Sequence, residues 1–312
     1  MVVTEAAKCQ NDLRCNSALI RKPFRIYSAS MSRKYAIWAV LGLTVLVATI
    51  AILLPRFAQP LSYHNFADQR AWLSIPNFGD VVSNLPFAIF GAWGLWFLLS
   101  LSPAEADLRF VDPGERWTYV LVFLGLLLTA IGSSYYHLAP DNARLVWDRL
   151  PMTIVFMALV AAMIEERISV RAGLWLLPFL LAIGVFSVWQ WYWSELRGAG
   201  DLRFYAAVQV YSALVLLLVL LFPTNYTRGG DLGVVVLFYV LAKLLETFDT
   251  QIFALGHIVS GHTLKHLAAA MAGYWILRML RKRILLRNID QRVSGGTGVS
   301  PVRRAGTPAT PS

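Results

Sequence analysis

Long runs of apolar residues without Asp, Glu, Lys or Arg account for much of the chain. They cover residues 35–55, 81–104, 117–140, 150–164, 172–194 and 204–227. A helix needs about 20 mostly apolar residues to cross the roughly 30 Å hydrocarbon layer of a bilayer. The pattern therefore predicts six transmembrane helices.

Charged residues interrupt two further helical stretches. In residues 232–250, Lys243 and Glu246 are three positions apart on one helical face and can partly neutralise each other. The last stretch, 262–281, begins at a histidine-rich end and closes at Arg278. We expect an all-α integral membrane protein with eight transmembrane helices.

Composition and charge support this class. Of 312 residues, 57% are hydrophobic and 15% are charged, whereas soluble domains carry about 25% charged residues. A net charge of +10 is also found in nucleic-acid-binding proteins, but here the basic residues flank the first and last helices. They are Arg21, Lys22, Arg25, Arg33 and Lys34, then Arg278, Arg281, Lys282, Arg283 and Arg287. Anionic lipid headgroups are the expected partner there, with no nucleic acid. By the positive-inside rule both termini are cytoplasmic, which requires an even number of crossings.

The chain divides into four predicted parts. Residues 1–30 show no helical period and are expected to be disordered, with Met31 as an alternative translation start. Residues 31–79 form an extra transmembrane helix and an outer loop, and we expect that helix to be retained rather than cleaved as a signal peptide. Residues 80–283 form the main helical domain. Residues 284–312 are a solvated basic tail, rich in Gly, Pro, Ser and Thr.

The histidines fall at one side of the predicted membrane. All five, His64, His137, His257, His262 and His266, lie at outer helix ends or in outer loops. The i,i+4 spacing of His262 and His266 places both imidazoles on one helical face, as a metal site requires. His137 can supply a third ligand. Alternatively, these are interfacial histidines bonded to water or headgroups, the role we expect for His64 and His257.

Two more polar residues accompany the histidines. Ser133 precedes His137 by four residues and shares its helical face, and Asp148 lies where the next predicted helix begins. Ionisable groups at membrane depth are costly and are usually functional, so this grouping predicts a site. Asp148 has an alternative role as a helix N-cap paired with Arg149.

These residues resemble the alkaline ceramidases, members of a membrane hydrolase superfamily that also includes the progestin and adiponectin receptors. The family has a Ser, a His four residues later, an Asp eleven residues beyond, and HxxxH opening the last core helix. Ser133, His137, Asp148, His262 and His266 reproduce these spacings. The segment Asn77–Phe87 (NFGDVVSNLPF) also looks like the start of the first core helix, especially in bacterial relatives.

The resemblance implies a fold and an activity. The fold is a seven-helix transmembrane bundle with one extra N-terminal helix. The implied reaction is zinc-dependent hydrolysis of the amide bond of ceramide or a related long-chain N-acyl lipid, releasing fatty acid and a sphingoid or other amine. His137, His262 and His266 would bind Zn²⁺, Asp148 would transfer protons, and Ser133 would hydrogen-bond the oxyanion. The site would lie near the extracytoplasmic face of a bacterial inner membrane.

The resemblance also points to calcium, which eukaryotic ceramidases bind through an acidic cluster. Here only Asp68, Asn77 and Asp80, with the nearby Asn84, occupy that region, so the calcium site is incomplete. The alternative is that Asp80 and Asn84 cap and pack the helix.

Three alternative functions stay open at this point. A receptor-like protein of the same superfamily would bind zinc without turnover. A transmembrane haem protein would use the histidines as axial ligands, and a transporter would place its site at the midplane. The sequence leaves open the lipid headgroup, the acyl length and the oligomeric state.

Overall fold

The computed structural model describes residues 33–288, which are helical throughout apart from connecting segments. Eleven α-helices lie in this range. They are α1 Arg33–Leu53, α2 Phe78–Val82, α3 Leu85–Leu99, α4 Pro103–Arg109, α5 Glu115–Leu138, α6 Asn142–Arg167, α7 Val170–Leu196, α8 Arg203–Val219, α9 Asp231–Thr247, α10 Asp249–Ala254 and α11 Gly261–Lys282. A short 3₁₀ helix, Leu61–His64, lies between α1 and α2.

Each predicted apolar run coincides with a helix, and the all-α prediction is confirmed. Five helical segments are long and apolar enough to cross a membrane: α1, α2 together with α3, α5, α6 and α7. The other predicted spans, α8, α9 and α11, are helices but do not meet those criteria. The structure is therefore consistent with a membrane protein.

Capping residues set two helix starts that bear on the site. The side chain of Asp141 accepts a hydrogen bond from the Arg144 amide at 2.7 Å, so α6 begins eight residues before the predicted apolar run. Asp148 therefore lies inside α6 and not at its cap. Ser260 caps α11 by accepting from the Thr263 amide at 3.0 Å, which places His262 in the first turn.

Two glycines allow the helices around the site to approach closely. A Cβ atom at Gly132 of α5 would lie 1.9 Å from the carbonyl oxygen of Trp147 in α6. A Cβ at Gly261 would lie 2.2 Å from the carbonyl oxygen of Leu245 in α9. Because any side chain would separate these helices, both glycines hold the end of α5 and the start of α11 against their neighbours.

Helix α1 presents mostly apolar residues outward. Trp38 and Leu53, for example, are 72% and 76% exposed, and α1 packs on α8 through a small buried face that includes Ala36. Exposed apolar surface of this extent is typical of a lipid-facing helix.

The segment after α11 packs onto the loop before α9. The Thr227 amide donates to the carbonyl of Ile284 at 2.9 Å, and Leu285 is buried. Residues 284–288 belong to the segment that the sequence predicted as a solvated tail, but Ile284 and Leu285 pack against the rest of the protein. Residues 1–32 and 289–312, which include the predicted N-terminal segment and most of the tail, lie outside the described residues.

Candidate metal centre

Three histidines converge in the interior, as their spacing predicted. His137 lies at the end of α5, and His262 and His266 lie in the first turns of α11. One ligand atom from each lies within 4.8 Å of the other two, and all three side chains are buried. Their ring centroids are 4.9 Å apart in each pair. We call these residues the histidine cluster.

The geometry of the histidine cluster fits a metal ion. The Nε2 atoms of His137 and His262 are 3.4 Å apart. Two nitrogens that bind one tetrahedral zinc at about 2.0–2.1 Å lie about 3.3–3.4 Å from each other. Imidazole nitrogens suit zinc and several other transition metals. The cluster can therefore hold a metal with three neutral ligands, which leaves a fourth position open.

Neighbouring side chains fix the ligands in this arrangement. The hydroxyl of Ser83, at the junction of α2 and α3, lies 2.8 Å from Nδ1 of His266, which leaves Nε2 for a metal. The side-chain amide of Asn77 donates a hydrogen bond to the backbone carbonyl of His137 at 2.8 Å. The carboxylate of Asp249 accepts a hydrogen bond from the backbone amide of His262 at 2.7 Å. Such outer contacts orient metal ligands and fix the imidazole tautomer.

An aromatic side chain encloses the cluster from the loop before α2. The Phe66 ring centroid lies 4.6 Å from that of His137 and 4.4 Å from that of His262. Phe66 and Ser83 both contact ligand histidines, and neither was predicted from the sequence. Neither stands at a regular spacing from the histidines, so no sequence signal marks them.

Ser133 and Asp148 lie together beside the cluster. Both side chains are buried. Together with His266 they line a cavity of about 170 Å³. The N-cap alternative for Asp148 is wrong, because Asp141 occupies that position.

The cavity has a polar end and an apolar end. Ionisable residues line it near the histidine cluster: Asp148, Arg149, Lys243, Glu246 and Lys265. Glu246 pairs with Lys243, as predicted, and also with Lys265 at 2.9 Å. Further along the same helices the lining becomes apolar, for example at Leu126, Leu216 and Ile276. Because Ile276 is ten residues beyond His266, the apolar end lies about 15 Å from the cluster. The cavity suits an amphiphile.

The three predicted calcium residues have protein partners. Both carboxylate oxygens of Asp68 accept from Arg70 at 2.7 Å, which holds the pKa of Asp68 below its usual value. Asn77 has a left-handed φ of 46°, which Asn tolerates, and its amide donates to His137. Asp80 accepts from the Thr263 hydroxyl at 2.7 Å. Asn77 and Asp80 thus support the histidine-bearing helices, and calcium binding stays a prediction.

The other two histidines lie outside the cluster. The ring nitrogens of His64 contact the Tyr136 hydroxyl at 2.8 Å and the Asn142 side chain at 3.0 Å. His257 is exposed and packs edge-on against Phe253. Of the five histidines, three therefore converge on one point and two lie elsewhere.

Comparison of the chain with protein-family models and with curated proteins found no match. The candidate site thus rests on its own geometry: a buried three-histidine group able to hold a metal, at the polar end of a cavity among membrane-type helices.

Proposed function

We propose that this protein is a zinc-dependent hydrolase that cleaves the amide bond of ceramide or a related long-chain N-acyl lipid. One observation carries the proposal: His266, Ser133 and Asp148 line the same cavity, and His266 belongs to a buried histidine cluster of metal-site geometry. The motif resemblance to alkaline ceramidases supports the reaction class.

The residues take the following roles. His137, His262 and His266 would hold the metal through neutral imidazoles. When bound, Zn²⁺ supplies a Lewis acid that polarises a carbonyl and lowers the pKa of water. Asp148 accepts a proton from the attacking water and delivers it to the leaving amine nitrogen. A carbon–oxygen bond forms, the carbon–nitrogen bond breaks, and the products are a fatty acid and an amine.

Ser133 has a separate role at the carbonyl. Its hydroxyl belongs to the same cavity lining as Asp148 and His266. A substrate carbonyl in the cavity meets that hydroxyl, and the oxygen that gains negative charge in the transition state receives its hydrogen bond. Because Ser133 and Asp148 are buried, bulk water does not compete for either group.

The proposal includes a membrane topology. We propose that all eight long helical segments cross a bacterial inner membrane, with both termini cytoplasmic and the histidine cluster near the extracytoplasmic face. Arg278, Arg281 and Lys282 lie at the end of α11 remote from His262, in accord with a cytoplasmic C-terminus. Reporter fusions at residues 196 and 256 are expected to be extracytoplasmic, and a cytoplasmic reporter at either position contradicts this topology.

The experiment that tests the function measures metal and turnover together. Purified protein in mild detergent is analysed for bound metal and for fatty acid released from a fluorescent ceramide and a panel of N-acyl lipids. The variants are His262→Ala and, as a matched control, His257→Ala, whose histidine is exposed outside the cluster. We expect about one zinc per chain and turnover in wild type and control, with both lost in His262→Ala.

Two results would contradict the proposal. Wild-type protein that retains zinc but hydrolyses no panel lipid favours the receptor-like alternative. Wild-type protein purified without zinc, and unable to take it up, removes the metal assignment.

A further inference from the structure

A buried arginine next to Asp148 forms no ion pair within residues 33–288. Arg149 is 4% exposed, and its Cζ atom lies 4.1 Å and 4.4 Å from the ring centroids of Trp191 and Tyr205. Nη2 donates to the side-chain oxygen of Gln59, whereas Nη1 has no hydrogen-bond partner within residues 33–288. Buried charges are normally paired, because desolvating a lone charge is costly.

A second buried arginine shows how this fold can neutralise the charge of such a group. Arg283 is 1% exposed and also lies against aromatic rings, including Tyr226 at 4.3 Å from its Cζ. Arg283 forms an ion pair with a buried carboxylate, that of Glu166, although its Nε and Nη2 atoms have no hydrogen-bond partner among the described residues. Within the same range, Arg149 forms no ion pair and donates its side-chain hydrogen bond to the neutral Gln59. The difference points to an external anion as the missing partner of Arg149.

The net charge of the residues that line the cavity also favours an anionic ligand. Its ionisable lining residues, besides histidine and tyrosine, are three bases (Arg149, Lys243 and Lys265) and two acids (Asp148 and Glu246), an excess of one positive charge. Glu246 is already shared by the two lysines. The lining therefore favours a ligand with one negative charge, even before any metal is considered.

We infer that Arg149 binds an anionic group of the lipid that occupies this cavity. The ligand would be a long-chain N-acyl amine whose amine part carries a carboxylate or a sulfonate, as in an N-acyl amino acid. Arginine donates charge-assisted hydrogen bonds to such groups, and the flanking rings hold the guanidinium in place. Since Arg149 follows Asp148 on α6 and both line the cavity, the anionic group lies within a few bonds of the amide. Cleavage of this lipid rests on the proposed function, whereas its binding does not.

The test compares two lipids that differ in charge. N-palmitoyltaurine and N-palmitoylethanolamine share the acyl chain, the amide and the two-carbon spacer, but end in a sulfonate and a hydroxyl. Binding is measured by calorimetric titration in non-ionic detergent, with chelator-treated protein so that metal coordination does not contribute. We expect wild type to bind the sulfonate about tenfold more tightly, as a charge-assisted hydrogen bond provides.

Two variants assign the preference to Arg149. Arg149→Met is expected to bind both lipids about equally. Arg144→Gln removes a basic residue of the same helix that does not line the cavity, and it should keep the wild-type preference. If Arg149→Met does not fold, the comparison of the two lipids on wild type still tests whether the cavity prefers an anionic ligand. Equal binding by wild type, or tighter binding of the neutral lipid, overturns the inference, and so does loss of the preference in Arg144→Gln.

A hydrolysis assay on the zinc-loaded protein separates this inference from the proposed function. Tight binding of N-palmitoyltaurine without release of palmitate from any lipid supports the anion site and contradicts the hydrolase. Release of fatty acid from neutral ceramide, with no preference for the sulfonate in binding, supports the hydrolase and contradicts the anion site.

Discussion

Two buried polar clusters lie at opposite ends of α5, α6 and α11. The histidine cluster, with Ser133 and Asp148 beside it, lies at the end of α5 and at the beginnings of α6 and α11. The second, which we call the Arg283 cluster, consists of Glu115, Tyr119, Glu166, Tyr226 and Arg283. Along α5, Tyr119 and His137 are 18 residues apart, or about 27 Å.

The carboxylates of the Arg283 cluster all meet donors. Arg283 and the Tyr119 hydroxyl both donate to Glu166, the latter at 2.6 Å. Glu115 accepts from the Tyr226 hydroxyl and from two backbone amides of the preceding loop at 2.9 Å. The acids of this cluster are thus matched by a base and by hydroxyls of the protein, as in a buried network that fixes structure, although Nε and Nη2 of Arg283 have no hydrogen-bond partner among the described residues.

The histidine cluster is arranged differently. Three groups of the same kind turn ligand nitrogens toward one another, and the nearby Arg149 forms no ion pair among the described residues and has an unpartnered Nη1 atom. Both clusters are equally buried, so burial of polar groups does not by itself mark a site. What distinguishes the histidine end is the convergence of like groups beside a cavity, which a bound ion or ligand would complete.

The largest expected effect is the loss of zinc affinity when a histidine ligand is replaced. His266→Ala removes one of three imidazoles, so bound zinc should become undetectable, while the helices still form. His64→Ala is the control, because that histidine has protein partners outside the cluster. Chelator competition measures the zinc affinity. Unchanged affinity in His266→Ala would contradict the metal assignment.

Disrupting the Arg283 cluster should lower the free energy of unfolding and leave the metal bound at the histidine cluster. Arg283→Met leaves Glu166 buried without its cation, which costs about 3–5 kcal/mol of unfolding free energy. Arg281→Met is the control, since Arg281 is exposed and lies over the ring of Trp93, outside the Arg283 cluster. Denaturant unfolding in detergent and zinc analysis are run in parallel. Loss of zinc from folded Arg283→Met would show that the two ends are coupled and would weaken the comparison.

A smaller change concerns the support of one ligand. Ser83→Ala removes the contact to Nδ1 of His266, and outer partners of this kind contribute about 10–100-fold to metal affinity. Ser134→Ala removes a hydroxyl that donates to the Val81 carbonyl and not to a ligand histidine, so it is the matched control. We expect at least about a tenfold weaker zinc affinity in Ser83→Ala and little change in Ser134→Ala. Equal affinities in the two variants would show that Ser83 does not position His266.

The sequence predicted the features that depend on local spacing. Uncharged runs located the helices, the i,i+4 rule placed His262 beside His266, and the i,i+3 rule paired Lys243 with Glu246. The early start of α6 was missed because the polar first turn, capped by Asp141, carries no apolar signal.

Contacts between distant parts of the chain could not be predicted. Ser83 and His266 are 183 positions apart, and Arg149 meets Gln59 across 90 positions. Nothing in the sequence shows that Trp191, in α7, is buried against Arg149. The cavity and its excess charge follow from helix packing, which spacing rules do not describe.

The smallest expected effect concerns Asp68. As in the Arg283 cluster, its charge is neutralised by a residue of the protein itself, here Arg70. Arg70 holds the pKa of Asp68 below its usual value, so this pair stabilises the fold above that usual value and the contribution disappears as the pH falls through the lowered pKa. Arg70→Gln should therefore lower the melting temperature slightly at neutral pH, since Arg70 is exposed, and the difference from wild type should shrink in acid. Arg70→Lys keeps the charge and should retain most of the pH dependence. A difference between wild type and Arg70→Gln that does not vary with pH would show that Asp68 is not held by Arg70 in solution, and would return it to the candidates for a calcium ligand.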